Sequence, residues 1–227
     1  MPRTLPPPPV AAPAPPPPAP TGPDPNAPPA VLPRMTREAY LAFDGAATAE
    51  FKYEWIDGRV RTMSGGTFNH HQVGSNVVAV LDAALRAARV PGRPKLRAGG
   101  SDLRTRVPGG PYYYPDAIVK PVPPRIEEPP DEPQRTLLNP ALLAEVLSRT
   151  TAATDRGEKR REYLKIPSLE YYLIVQPNVR HVLRLARDGG RWRETAVRGG
   201  DLELPRLGVA VSLDDLYEDC LPGGDRF

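Results

Sequence analysis

The sequence predicts a mixed α/β domain in which a central β-sheet is flanked by helices. Three observations carry this. Two nearly continuous apolar runs, residues 142–147 and 169–175, have the composition of strands buried on both faces. A charged helical segment, 155–165, lies between them. Upstream, a helical pattern over 69–89 follows a hairpin signal at Asp57-Gly58. Helix, hairpin, helix, strands, helix, strands is the order of a mixed sheet with helical cover.

The elements follow in chain order. Half of the 32 prolines lie before Met35, in a stretch with almost no large apolar side chains to bury. Such a segment cannot offset its ordering entropy, so residues 1–34 are expected to be a disordered or polyproline tail. Thr36 is an N-cap for a short helix through Phe43. In FKYEWIDGRVRTM (51–63), aromatic and apolar residues flank Asp57-Gly58, which predicts two strands and a tight turn. Val73, Val77, Val80, Leu81, Ala84, Leu85 and Ala88 recur at three- and four-residue steps, and Pro91-Gly92 ends that helix. Strands follow at 95–98, 101–107 and 112–119, then an acidic proline loop, PVPPRIEEPPDEPQR.

After the run at 142–147 and the helix at 155–165 comes the strand at 169–175. Strands at 182–186 and 191–197 form a hairpin across Asp188-Gly189-Gly190. A short strand near Leu202 and a helix at 213–217 close a domain spanning 35–219, with 220–227 as a C-terminal tail.

Composition bounds the function. A net charge of +3 and a pI of about 9.1 permit a nucleic-acid partner without demanding one. Cys220 is the one cysteine, so an intrachain disulfide and a cysteine zinc cluster are excluded, and a reducing, cytoplasmic setting is expected. The N-terminus has no apolar signal region, and no run is long enough to span a membrane. Neither a Gly-x-Ser-x-Gly elbow nor a Walker A loop is present.

Glu145 is the residue most in need of explanation. It sits inside Leu142-Leu143-Ala144-Glu145-Val146-Leu147, and burying a carboxylate without a cationic partner costs several kcal/mol or more. Asp116 precedes the apolar run Ala117-Ile118-Val119. Two acids on adjacent buried strands can converge on one hard cation, and Mg²⁺ takes one or two carboxylates plus waters and phosphate oxygens. On the following helix, Lys159 and Tyr163 are four apart and share a face, with Asp155 one turn before. Glu54 lies on the strand before the Asp57-Gly58 turn, and His70 near the start of the long helix. Asp102 heads the strand at 101–107, where a cap and a catalytic role are equally open. Zinc held by histidine would need His70, His71 and His181 together and is not expected.

These residues, in this order, resemble the Uma-two family of restriction-endonuclease-like proteins. The resemblance is carried by Tyr53-Glu54-Trp55-Ile56-Asp57-Gly58, Ser101-Asp102, Tyr113-Tyr114-Pro115-Asp116, Glu145-Val146-Leu147-Ser148, and Asp155-Arg156-Gly157-Glu158-Lys159 through Tyr163 to Tyr171. It spans about 35–218. It implies a PD-(D/E)xK nuclease fold, with Asp116 as the first acid and Glu145 as the second. Leu147 stands where that motif has lysine, and the family pattern points to Lys159 on the next helix instead. Glu54 and His70 match family motif positions. The implied activity is a Mg²⁺- or Mn²⁺-dependent endonuclease acting on DNA. Asp116, Glu145 and the Val146 carbonyl would be metal ligands, and Asp102, Asp155 and Tyr163 would support them. A homodimer is expected by analogy with such nucleases. Leu147 in place of lysine keeps an alternative open: a non-catalytic DNA-binding or assembly module on the same fold.

Overall fold

The computed structural model describes residues 32–46, 52–63, 66–88, 92, 94–127 and 136–221. The proline tail through residue 31, Phe51, Pro91, Arg93, most of the acidic proline loop (128–135) and the end of the C-terminal tail (222–227) lie outside the described residues.

Helix α1 (Arg37–Ala46) starts one residue after Thr36, whose hydroxyl accepts from the Ala39 N–H (3.2 Å). It runs past the expected end at Phe43. The hairpin β1 (Tyr53–Ile56) and β2 (Arg59–Thr62) turns on Asp57 and Gly58, both at positive φ (48° and 83°), the paired left-handed conformation a two-residue hairpin needs. The long helix is α2 (Phe68–Ala87), capped by the Thr67 side chain. Its stripe Val73, Val77, Leu81 and Leu85 is buried.

Strand β3 (Lys95–Gly100) is followed by a turn holding Ser101 and Asp102, and only then by β4 (Arg104–Arg106). The single strand expected at 112–119 is two strands, β5 (Tyr112–Tyr113) and β6 (Ala117–Val122). Pro115, which has no N–H to donate, lies between them. Strand β7 (Thr136–Leu137) is an addition at the end of the proline loop. Strands β8 (Leu142–Val146) and β9 (Tyr171–Val175) are buried at every position, as expected.

The crossover between β8 and β9 begins earlier than expected. It runs as α3 (Ala152–Thr154), a π-helical turn (Asp155–Lys159) and α4 (Arg160–Tyr163). The hairpin β10 (Val182–Asp188) and β11 (Arg191–Val197) follows. Strand β12 (Asp201–Leu204) pairs with β13 (Val209–Ser212), which the sequence did not signal, before the short helix α5 (Leu213–Leu216).

The central sheet has six strands in the order β11-β10-β9-β8-β6-β3. β8 and β9 are parallel and the other pairs antiparallel, so the sheet is mixed. A second sheet, β2-β1-β5-β4-β7, carries Glu54 on β1. Side chains alternate across β8. Leu142, Ala144 and Val146 pack against Val73, Val77 and Leu81 of α2. Leu143 faces the other way, with Tyr163, Ile166, Tyr172 and Ile174. Glu145 therefore points to the face covered by the crossover helix and the second sheet. Among the described residues, no helix is long and apolar enough to cross a membrane.

Two ion pairs fix the surroundings. Arg104 Nη1 meets Asp44 Oδ2 at 2.6 Å, both side chains fully buried, and the Tyr114 hydroxyl donates to the same oxygen (2.7 Å). This ties α1 to the second sheet. On the other side, Asp82 of α2 accepts from Arg97 Nε (2.6 Å) and from the Ala98 N–H (3.1 Å) on β3. Arg97 chiefly, with Arg86 and the Ala98 N–H, holds the Asp82 carboxyl well below the usual range against its partial burial. A depressed folded pKa gives stability that is present above the unfolded value, about 4, and is lost as pH falls below it. Asp82→Ala is expected to cost about 1–2 kcal/mol, with solvent screening keeping it below a buried pair. Urea titration at pH 7 and pH 3 checks this: the deficit should shrink at the lower pH.

Candidate active site

Glu145 enters from β8 with its carboxylate 3% exposed. Its Oε1 accepts from Lys159 Nζ (3.1 Å) and from the Tyr163 hydroxyl (2.8 Å). Lys159 comes from the π-helical turn, and its ammonium also lies 2.8 Å from Glu54 Oε1 and 3.6 Å from Asp155 Oδ1. One lysine thus stands among three carboxylates, each side chain 8% exposed or less. The widened π turn keeps Asp155 and Lys159 facing inward together, and such turns often mark functional sites. Tyr163, one turn on, is fully buried.

Aromatic rings wall the cluster. The Lys159 ammonium lies 5.6 Å from the Tyr113 ring centroid. Tyr163 packs edge-on between Tyr113 (5.1 Å) and Tyr172 (5.3 Å). The Tyr172 hydroxyl donates to the Asp155 main-chain carbonyl (3.0 Å), and the Tyr114 N–H donates to Glu54 Oε1 (3.3 Å). Tyr172 was not signalled by the sequence. The available cue was a tyrosine inside a buried strand, whose hydroxyl needs a partner.

Asp116 stands at the start of β6. The pairing Ala117↔Ala144 carries it, one step further, to the level of Glu145. Its Oδ2 accepts from the Val146 N–H (2.7 Å) and lies 3.7 Å from His70 Nε2. In an extended residue the N–H and C=O point to the same edge, so the Val146 carbonyl is directed to the side of Asp116. Gly66 lies against the other face of His70: an added Cβ would come within 2.4 Å of His70 Nδ1.

Asp116 and His70 line a cleft of about 460 Å³ between α2 and the turn after β3, with Gly74, Ser75, Val78 and Gly100. Asp102 is at its mouth, 93% exposed and paired with Lys52 at 2.6 Å, so it lies outside the buried cluster.

The electrostatics follow from burial. Burial pushes the Glu145 carboxyl well up; Lys159 pulls it back, while Asp155, Asp116 and Glu54 add to the rise. Asp155 is raised for the same first reason, against Lys159 and the Thr151 hydroxyl. Burial alone would lower the Lys159 ammonium, but Glu145, Glu54 and Asp155 reverse this and hold it well above its usual value. Three carboxyl groups thus share one ammonium.

The residues fit a divalent cation. Both hydrogen bonds to Glu145 fall on Oε1, and the Val146 N–H bond to Asp116 falls on Oδ2. Glu145 Oε2 and Asp116 Oδ1 receive neither. Among the described residues, no three His, Cys, Asp or Glu side chains form a ready cage. Two carboxylates, a carbonyl and waters are the set that Mg²⁺ usually takes.

The basic residues divide. Arg97 is held by Asp82, Arg160 by Glu194 (2.6 Å) and Lys165 by Glu162 (2.6 Å). Lys95, Arg156 and Arg161 are exposed. Leu147 is buried in the core beside Tyr163, so the position where the motif has lysine is apolar packing here.

Comparison with known proteins identifies the family. The profile of the Uma2 family, described as "Putative restriction endonuclease", matches residues 37–214. The chain belongs to the Uma2 family.

Two uncharacterized Synechocystis proteins, slr1290 and sll1609, are similar to it along most of their length. The first is 31% identical over 85% of this chain and 96% of its own. The second is 29% identical over 75% of this chain and 91% of its own. The fold is similar to a crystal structure described as a putative nuclease belonging to DUF820, from Anabaena variabilis. That likeness has a TM-score of 0.64 at 19% identity, over 82% of this chain and 99% of the other. The expected mixed α/β, nuclease-type fold is thus the observed one. Within this Uma2 chain, Glu54, Glu145, Asp155, Lys159 and Tyr163 meet in one buried cluster. Asp116 and His70 stand beside it at the cleft.

Proposed function

We propose that this chain is a Mg²⁺- or Mn²⁺-dependent endodeoxyribonuclease that hydrolyses phosphodiester bonds at the Asp116–Glu145 site. The observation that carries the proposal is the lysine from the crossover helix held against Glu145 (3.1 Å), where the motif lysine is missing from β8. Asp116 and Glu145, with the Val146 carbonyl, would hold the metal. When bound, such an ion polarises the scissile phosphate and lowers the pKa of a ligated water. Lys159 orients Glu145, favours its ionised form against burial, and offsets charge developing on the phosphate. Glu54 and Asp155 hold the ammonium in place, and Tyr163 fixes Glu145 Oε1. His70 orients Asp116 from the cleft side. Lys95, Arg156 and Arg161 would contact DNA phosphates without reading sequence. Cutting both strands calls for two copies, so a homodimer in a cytoplasmic setting belongs to the proposal.

The test is nicking of supercoiled plasmid by the full chain in Mg²⁺, Mn²⁺ or EDTA, beside Lys159→Ala. Metal-dependent nicking that Lys159→Ala removes is expected. One observation favours a second reading, a non-catalytic DNA-binding module: Glu145 is 2% exposed and is not part of the cleft lining. DNA binding without cleavage in any metal would select it.

A further inference from the structure

On the face of the central sheet that Glu145 turns away from lies a small pocket rich in arginine. It has a volume of about 180 Å³ and is lined by Tyr171, Arg184, Arg187, Asp188, Arg193 and Arg206, among others. The register sets it on the opposite face of the sheet from Glu145, two strands away. Arg184 and Ala186 pair with Leu173 and Tyr171 on β9. Tyr171 is level with Leu142 at the start of β8, while Glu145 is level with Ile174.

The charges around this pocket do not balance. Arg193 is paired with Asp188 (2.7 Å) and Arg206 with Glu170 (3.2 Å). Arg184 is held by a main-chain carbonyl, which orients a guanidinium without cancelling its charge. Arg187, on the alternate face of β10, donates to Leu169 O (2.7 Å) and Ile166 O (2.8 Å) and stacks over Trp192 (4.6 Å), so its guanidinium turns away from Arg184. Arg184 Nη1 donates to the Glu203 carbonyl, and Arg184 Nε is buried with no acceptor. A buried donor left unmet is costly, and rigidly held guanidiniums with spare N–H groups are the usual receptor for an oxoanion.

We propose that this pocket is a phosphate-binding site, separate from the carboxylate cluster. Its excess positive charge draws the anion, and Arg184 Nε supplies a preformed donor. Two sources share this chemistry: a phosphodiester of a nucleic acid, or the terminal phosphate of a nucleotide or other small ester.

The test is calorimetric titration of inorganic phosphate into the full chain in EDTA at constant ionic strength. Under these conditions the carboxylate cluster repels the anion. Saturable one-site binding is expected, weakened about tenfold or more in Arg184→Gln through loss of a charge-assisted donor. Ala186→Glu, which replaces no arginine but sets a carboxylate opposite Arg193 in the lining, should abolish it. That variant decides the matter should Arg184→Gln fail to fold by circular dichroism. No saturable binding, or binding unchanged in the folded variants, overturns the proposal. Competition then assigns the source. Displacement by an oligonucleotide lacking terminal phosphate identifies the phosphodiester, and displacement only by a nucleoside monophosphate identifies the terminal group.

Discussion

Lys159→Met is expected to cost about 3–5 kcal/mol of folding stability, because it leaves buried carboxylates without their shared cation. The lysine reaches Glu54, Glu145 and Asp155 within 3.6 Å, and all three are at most 8% exposed. The loss should depend on pH in a definite sense. Burial raises the folded pKa of Glu145 and of Asp155. A raised folded pKa gives stability that is complete below the unfolded value, about 4, and is lost as pH rises through the folded value. Without Lys159 the carboxylates are harder still to ionise, so the deficit should grow from pH 5 to pH 8. Urea unfolding of both proteins at the two pH values measures it. A deficit under about 1 kcal/mol, the range of an exposed pair, would place the lysine in an ordinary surface role.

Asp116→Asn should have the opposite profile, with activity lost and the fold kept. The amide oxygen can still accept the Val146 N–H that Asp116 Oδ2 accepts at 2.7 Å. The side chain is 16% exposed at the cleft, so no buried charge is orphaned. Stability should stay within about 0.5 kcal/mol of the parent. The negative charge that would hold a cation is gone, however. Metal-dependent nicking should fall by about 10²–10³-fold, the equivalent of several kcal/mol of metal-derived stabilisation. Nicking at the parent rate would remove Asp116 from the site.

The sequence made some of this site plain and hid the rest for physical reasons. Glu145 was legible because a carboxylate inside an apolar run demands a cationic partner. Lys159 and Tyr163 were legible as a pair because residues four apart share a helix face, and both reach Glu145 Oε1. The π-helical turn that aims Asp155 and Lys159 inward was not legible, since its residues read equally well as an ordinary helix. Pro115 was visible, yet its effect was missed: β5 and β6 were read as one strand, though they belong to different sheets. The Arg97–Asp82 pair was not legible either, since its partners lie 15 residues apart on different elements. Strands as short as β7, or β13 with its alternate residues exposed, leave little pattern to find.

The most direct test of the central claim is calorimetric titration of Mn²⁺ into the parent chain, Asp116→Asn and Glu145→Gln, at pH 6 and pH 8. The parent should bind saturably, and more weakly at pH 6, where a proton competes for the raised Glu145 carboxyl. Both variants should bind at least about tenfold more weakly. Absence of binding in the parent, or equal binding in all three proteins, would contradict the assignment of Asp116 and Glu145 as a metal site.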